Sequence, residues 1–358
     1  MTSTTLPGPA GAGTRPPNAD LAGTPRGRSA GAGRRSTWPK RARWRLAALS
    51  VLALLGCGGG GGSEPAPTGP SQTPSCPLAS AWDGATCQAF ASRRVERLPT
   101  PWVEAGRALT LEAVFYAPLT GAPPYPTVVV HHGSTGNGDD PRLFTQTWES
   151  PAIAREFTAR GFLVVFPQRR GRGASDGLYD EGFEPDRSRY SCRAALALPG
   201  LDRALQDADA ITDALRSRAD VDGARLLVAG HSRGGALALR HAGARRGVYR
   251  GVLDFVGGWL GEGCSDAVEV NRLALASSPD PALPTLWLYG ANDPFYSLAH
   301  SRGHFDAFVT AGGRGRYLAL QRSDPAASGH FVHQEPALWR AALEAWLAEA
   351  MPRSAGGR

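Results

Sequence analysis

The chain has 358 residues, 42% hydrophobic and 20% charged, a composition that excludes wholesale disorder and a collagen-like repeat. Its net charge of +7 is unevenly placed: residues 1–56 hold nine basic residues and one acid, Asp20, so residues 57–358 carry −1. The basic character belongs to a leader and not to a folded face, so no nucleic-acid partner is expected.

Leu46 to Gly56 reads LAALSVLALLG, an apolar run of 11 residues behind the basic stretch Lys40–Arg45. A membrane-spanning helix needs roughly 20 apolar residues, so this run is too short to span. Basic flank, short apolar core and small terminal residues predict a secretory signal over residues 1–56. Its end, Leu54-Leu55-Gly56-Cys57, resembles the bacterial lipobox. That resemblance implies cleavage before Cys57 and acylation of Cys57, hence an exported lipoprotein held at a membrane by its lipid. Gly58 is not the acidic retention residue known from such proteins, which favours the outer membrane or periplasm within the cell envelope. Residues 57–75 are rich in Gly, then in Pro, Ser and Thr, and read as a tether. The folded domain is expected over residues 76–352, with a tail at 353–358.

Four cysteines remain in that domain: Cys76, Cys87, Cys192 and Cys264. An even number in an exported chain predicts two disulfides among three possible pairings. Cys76–Cys87 and Cys192–Cys264 are the expected pairs. CxxC spacing is absent, so no zinc or other metal site is expected.

Through the domain, short β-rich runs alternate with amphipathic stretches. Strands are predicted at Ala108–Tyr116, Thr127–His131, Phe162–Phe166, Arg225–Ala229, Gly251–Val256, Thr285–Tyr289 and Tyr317–Leu320. Helices are predicted at Pro151–Arg160, Gly200–Ala219, Gly234–Ala244 and Pro336–Ala350. In the closing helix, Leu338, Ala341, Ala342, Ala345 and Leu347 are available to face the sheet. The fold class is α/β, a mostly parallel sheet of about eight strands with helices on both faces. Ligands of such sheets bind beyond the C-terminal strand ends.

Gly-x-Ser-x-Gly occurs three times, as GRSAG at 27–31, GASDG at 173–177 and GHSRG at 230–234. The first lies in the leader, and the second lies several residues past its strand with a loop behind it. Only GHSRG stands between a strand (RLLVA) and a helix (GGALALRHA), as a nucleophile elbow requires. Ser232 is therefore the candidate nucleophile; the alternative role for such a serine is a helix cap. A serine hydroxyl needs a base, and the base an acid, in the chain order Ser, acid, His. Asp293 follows the strand TLWLY, and His330 lies in the last loop before the closing helix. His333 is the rival base, whereas His241, His300 and His304 fall in predicted helices. The oxyanion donors expected are the backbone N–H groups of Arg233 and Ser134, with Gly133 the alternative to Ser134.

These motifs, with HHGS at 131–134, RRGRGASDG at 169–177, YGANDP at 289–294 and SGHF at 328–331, resemble those of the α/β-hydrolase superfamily. Within it the chain looks like the dienelactone-hydrolase-like and S9-peptidase-like serine esterases, over about Leu109 to Leu347. Enzymes that open dienelactone use a Cys nucleophile, and a haloalkane dehalogenase uses Asp. Ser232 argues for ordinary carboxylic esters. The resemblance implies a serine esterase acting through an acyl-enzyme on a small-molecule ester, with no cofactor. An S9-type peptidase and an inactive envelope binding protein are the alternatives. The loops 169–199 and 257–264 leave C-terminal strand ends, where Trp148, Tyr179, Trp259 and Phe295 are candidates to line an aromatic-accepting pocket.

Overall fold

The computed structural model describes residues 79–82 and 87–352. Among these residues, nine strands form one sheet: β1 (Ala79–Trp82), β2 (Cys87–Glu104), β3 (Arg107–Ala117), β4 (Tyr125–His131), β5 (Leu163–Pro167), β6 (Val221–His231), β7 (Tyr249–Phe255), β8 (Pro284–Gly290) and β9 (Arg314–Leu320). Their spatial order is β1-β2-β3-β5-β4-β6-β7-β8-β9. The six strands from β5 to β9 in that order pair in parallel. β1, β2 and β3 extend the sheet antiparallel beyond β5. The count exceeds the expected eight because β1 and β2 escape the apolar pattern. β2 carries charges and two prolines, and draws its order from a long ladder with β3.

Among the described residues, six α-helices connect and cover the strands: α1 (Pro151–Thr158), α2 (Ala194–Arg216), α3 (Arg233–Ala244), α4 (Ala267–Ala276), α5 (Leu298–Thr310) and α6 (Arg340–Ala350). The central strands are apolar without alternation, as burial on both faces demands. In β4, Val128, Val129 and Val130 are fully buried, as are Leu286, Trp287, Leu288 and Tyr289 in β8.

Two expectations need correction. α2 begins at Ala194, six residues before Gly200, and takes Pro199 inside it. Its first turn is anchored from elsewhere, because the Ala194 N–H donates to Asp266 across 2.8 Å. The closing helix splits into a 3₁₀ turn at Pro336–Leu338 and α6. The residues it buries are Trp339, Leu343, Trp346 and Ala350, while Ala341 and Ala345 are exposed. The larger side chains take the sheet-facing stripe because they remove more apolar area from water.

The described residues include a disulfide between Cys192, just before α2, and Cys264, just before α4. The expected Cys76–Cys87 pairing, Cys57 and the leader fall on residues whose side chains or positions lie outside the described residues. No helix among the described residues is long and apolar enough to cross a membrane.

Candidate active site

β6 runs buried to His231, and α3 starts at Arg233, so Ser232 alone makes the turn. Its φ of 57° and ψ of −125° lie where L-residues rarely stand. Such a turn brings strand and helix into near contact. A Cβ on Gly230 would sit 2.0 Å from the Gly234 oxygen, and one on Gly234 would sit 2.1 Å from the His131 oxygen. Only glycine fits either place. The Ser232 amide donates to the Phe255 oxygen across 2.9 Å, and its own carbonyl accepts from Gly235 at 2.9 Å. Its side chain makes no cap hydrogen bond to α3. The helix-capping role is therefore unfilled, and the hydroxyl stands above the positive end of the helix.

Asp293 leaves β8 with its side chain fully buried. One carboxylate oxygen accepts from the amides of Phe295, at 2.8 Å, and Tyr296, at 3.2 Å. The other lies 2.9 Å from His330 Nδ1. With Nδ1 so engaged, Nε2 is the ring nitrogen left to exchange a proton. His330 sits in the 3₁₀ segment Gly329–Gln334 after β9. His333 belongs to the same segment but lies buried without a carboxylate, and burial pushes its imidazole down to about 3. Of the two rivals, only His330 is paired with Asp293.

Two contacts join this pair to the elbow. His231 Nε2 lies 2.8 Å from the His330 oxygen. Tyr296 lies with its ring 5.9 Å from that of His330. Its phenol, raised by burial, donates to the Gly258 oxygen at 2.7 Å, and the Gly258 amide donates to the Ser232 oxygen at 3.3 Å.

The loop after β4 completes the site. A Cβ on Gly133 would lie 2.9 Å from Ser232 Cβ and 3.2 Å from the His231 oxygen, so the bare glycine lets the loop lie against the elbow. Ser134 follows, half-buried. Among the described residues, the amides of Ser134 and Arg233 have no hydrogen-bond acceptor. The loop is braced from behind. Arg169 donates its amide to His132 Nε2 at 3.2 Å and its guanidinium to the His132 oxygen at 3.0 Å. His132 therefore carries its proton on Nδ1, which donates to the Gly133 oxygen at 2.8 Å. Burial and the Arg169 charge hold His132 neutral.

Sequence reasoning left out a buried network under this loop. Glu181 takes Arg169 at 2.5 Å, and Tyr179 at 3.0 Å. Tyr179 meets Tyr190 at 2.6 Å, and Tyr190 meets Thr135 at 2.7 Å. The Arg233 side chain ends here too, donating to the oxygens of Trp259 and Glu181 over the Tyr190 ring. Only the Arg233 backbone is left for the site. Of the four expected pocket aromatics, Tyr179 and Trp259 are buried with their polar atoms bonded elsewhere. Trp148 stacks on His231 at 6.0 Å. Phe295 alone is exposed, against His330.

The other serine motif has a structural use. Ser175 Oγ accepts from the Glu112 amide at 2.9 Å and donates to the Gln168 oxygen at 2.7 Å. His241 bonds Asp209 and Tyr249, while His300 and His304 bond each other on α5.

The family described as serine aminopeptidase, S33, matches residues 142–254, which include the elbow. A search of curated proteins finds no match. Among solved structures, an acylaminoacyl peptidase from Pyrococcus horikoshii aligns with a TM-score of 0.50 and 14% identity, over 75% of this chain and 43% of that one. An α/β serine hydrolase without lid from Xanthomonas campestris aligns at 0.47 and 18%, over 73% and 96%. A dienelactone-hydrolase-like promiscuous phosphotriesterase from metagenomic libraries aligns at 0.42 and 20%, over 72% and 98%. The chain has the α/β-hydrolase fold.

Proposed function

We propose that this α/β-hydrolase chain is a serine esterase that cleaves carboxylic esters through an acyl-enzyme. The observation that carries the reading is the pairing of His330 with the buried Asp293 carboxylate, together with the strained Ser232 turn, its hydroxyl unused as a cap, next to His231, whose ring bonds the His330 oxygen. In the first half-reaction, His330 Nε2 takes the Ser232 proton as Oγ attacks the ester carbonyl. Asp293 fixes the tautomer and stabilises the imidazolium. The amides of Ser134 and Arg233 hold the oxyanion. His330 returns the proton to the departing alcohol, leaving an acyl-serine. A water then repeats the sequence and releases the acid. The mechanism calls on no metal or organic cofactor.

The test is labelling of the full chain with a fluorophosphonate, read by peptide mass spectrometry beside Ser232→Ala. Label on Ser232, absent from the variant, together with turnover of p-nitrophenyl acetate, is the expected result. Turnover of peptide anilides without esters would move the reading to a peptidase. A folded protein without label would leave an inactive binding protein on the same fold.

The leader completes the proposal: export, cleavage before Cys57 and acylation of that residue, with residues 57–75 as tether. The Cys192–Cys264 disulfide supports export, since such bonds persist in oxidising compartments. Mass spectrometry of the mature N-terminus, with Cys57→Ala as control, tests it; an unacylated chain would overturn the lipoprotein reading.

A further inference from the structure

Phe295 and Phe331 stand out as exposed aromatic side chains packed against the proposed base. Phe295 is 38% exposed and Phe331 is 41% exposed, whereas His330 between them is 6% exposed. Their ring centroids lie 4.8 Å and 5.6 Å from the imidazole. They come from different segments, Phe295 from the loop after β8 and Phe331 from the 3₁₀ segment after β9. Both backbones are held. The Phe295 amide donates to Asp293 at 2.8 Å, and its carbonyl accepts from Glu262 at 2.9 Å. The Phe331 amide donates to the Ser328 oxygen at 3.3 Å, and its ring lies over His231 at 6.1 Å. Neither ring is needed to close the core.

The chemistry says which part of a substrate meets them. His330 must hand its proton from Nε2 to the oxygen of the leaving alcohol, so that oxygen passes within hydrogen-bond reach of the imidazole. The carbon attached to it then extends along the flanks of the same ring. Phe295 and Phe331 are exposed aromatic rings packed within 4.8 Å and 5.6 Å of that imidazole.

We propose that Phe295 and Phe331 form an apolar clamp for the alcohol portion of the ester. The enzyme thereby selects esters of aromatic or bulky apolar alcohols over those of small alkyl alcohols. This rests on the assignment of Ser232 and His330 as nucleophile and base. The two rings offer apolar area to any bulky alcohol, and their faces and edges favour an aromatic one further.

The test compares kcat/KM for benzyl acetate, cyclohexylmethyl acetate and ethyl acetate, which share one acyl group and have leaving alkoxides of similar basicity. The full chain should prefer benzyl to ethyl acetate by about tenfold or more, the discrimination that a few apolar contacts provide. In the double variant Phe295→Ala/Phe331→Ala that ratio should collapse toward one, and Phe295→Leu/Phe331→Leu should keep cyclohexylmethyl over ethyl while losing the aromatic advantage. Wild-type kcat/KM without preference would overturn the clamp. So would a double variant that loses all three activities in proportion, the signature of a structural role. A shift in choice among methyl acetate, butyrate and benzoate, with the benzyl-to-ethyl ratio intact, would place the rings on the acyl side and also overturn it. Absence of both fluorophosphonate label and p-nitrophenyl acetate turnover would instead mark failure of the esterase reading, and the clamp would fall with it.

Discussion

His231 Nε2 donates to the main-chain oxygen of His330 across 2.8 Å, so the residue before the proposed nucleophile grips the backbone of the proposed base. Burial holds His231 neutral, well below its usual titration range. It therefore keeps one donor and no charge. His231→Ala would leave that carbonyl unpaired and open space against Trp148, at a cost of about 1–3 kcal/mol by denaturant unfolding. If Ser232 and His330 act as proposed, kcat for p-nitrophenyl acetate should fall with KM little changed, because the imidazole loses its fixed direction and not its substrate contacts. His231→Gln keeps an N–H donor and should recover part of both. A variant that unfolds more easily yet retains full kcat would reduce His231 to a packing residue.

Asp293→Asn separates geometry from charge. The Asn oxygen can still accept from the Phe295 and Tyr296 amides, so the loop should hold and the melting temperature should move little. The new NH₂ faces His330 Nδ1 and cannot accept its proton, which forces the wrong tautomer. kcat for p-nitrophenyl acetate should drop by about 10⁴-fold. A loss below tenfold would mean that another group orients His330.

Gly133→Ala tests the close approach of the loop after β4. The added Cβ would lie 2.9 Å from Ser232 Cβ, inside any real contact distance, so either the loop or the elbow must move. Displacement of about 1 Å at an oxyanion site costs on the order of 10²-fold. The expected result is a lowered kcat with fluorophosphonate labelling of Ser232 slowed in parallel. Unaltered labelling would show that the loop yields without disturbing the nucleophile.

The central strands were legible because burial on both faces leaves an unbroken apolar run, and the elbow because strand, turn and helix are contiguous in the chain. Asp293 and His330 could be chosen because each lies at a strand end in the order the elbow dictates. What stayed hidden was set by contacts between distant residues. The charged, proline-containing β2 is ordered by its ladder with β3, and the early start of α2 by Asp266, 72 residues away from Ala194. The network of Glu181, Tyr179 and Tyr190 beneath the site has no spacing signal, since its members meet only through the fold. Phe331 was passed over because an aromatic beside a histidine reads as core until its exposure is known.

Asp254 provides a prediction in pH. Its carboxylate is wholly buried, and the Tyr289 phenol lies 2.8 Å from Oδ2 and 2.7 Å from the Gly257 oxygen. A phenol has one proton for two acceptors, so the second bond needs a proton on Asp254. Burial accordingly raises its carboxyl from 3.8 to about 7. The folded state thus holds a proton that the unfolded state releases near pH 4. Wild-type stability from this group falls by roughly 1.4 kcal/mol per pH unit as pH rises from about 4 to about 7, and no further above that. Asp254→Asn mimics the protonated form at every pH. The gap in unfolding free energy, variant minus wild type, should grow from pH 4 to 7 and then level. A flat gap would show that Asp254 is ionised throughout.

The Cys192–Cys264 bond closes a loop of sequence separation 72 and joins the approaches to α2 and α4. Loop closure of that length restrains the unfolded chain by about 4 kcal/mol in the chain-entropy picture. The local geometry does not depend on the sulfurs alone: Asp266 holds the Ala194 amide, and Ser265 Oγ donates to the Cys192 oxygen at 3.3 Å. Cys192→Ser/Cys264→Ser should therefore fold, unfold at lower denaturant concentration, and retain fluorophosphonate labelling at Ser232, because the cysteines precede α2 and α4 whereas Asp293 and His330 follow β8 and β9. Thiol reductant added to the wild type should lower its denaturant midpoint by at least as much as the double substitution does. Loss of labelling in the folded double variant would instead show that the bond positions the site itself.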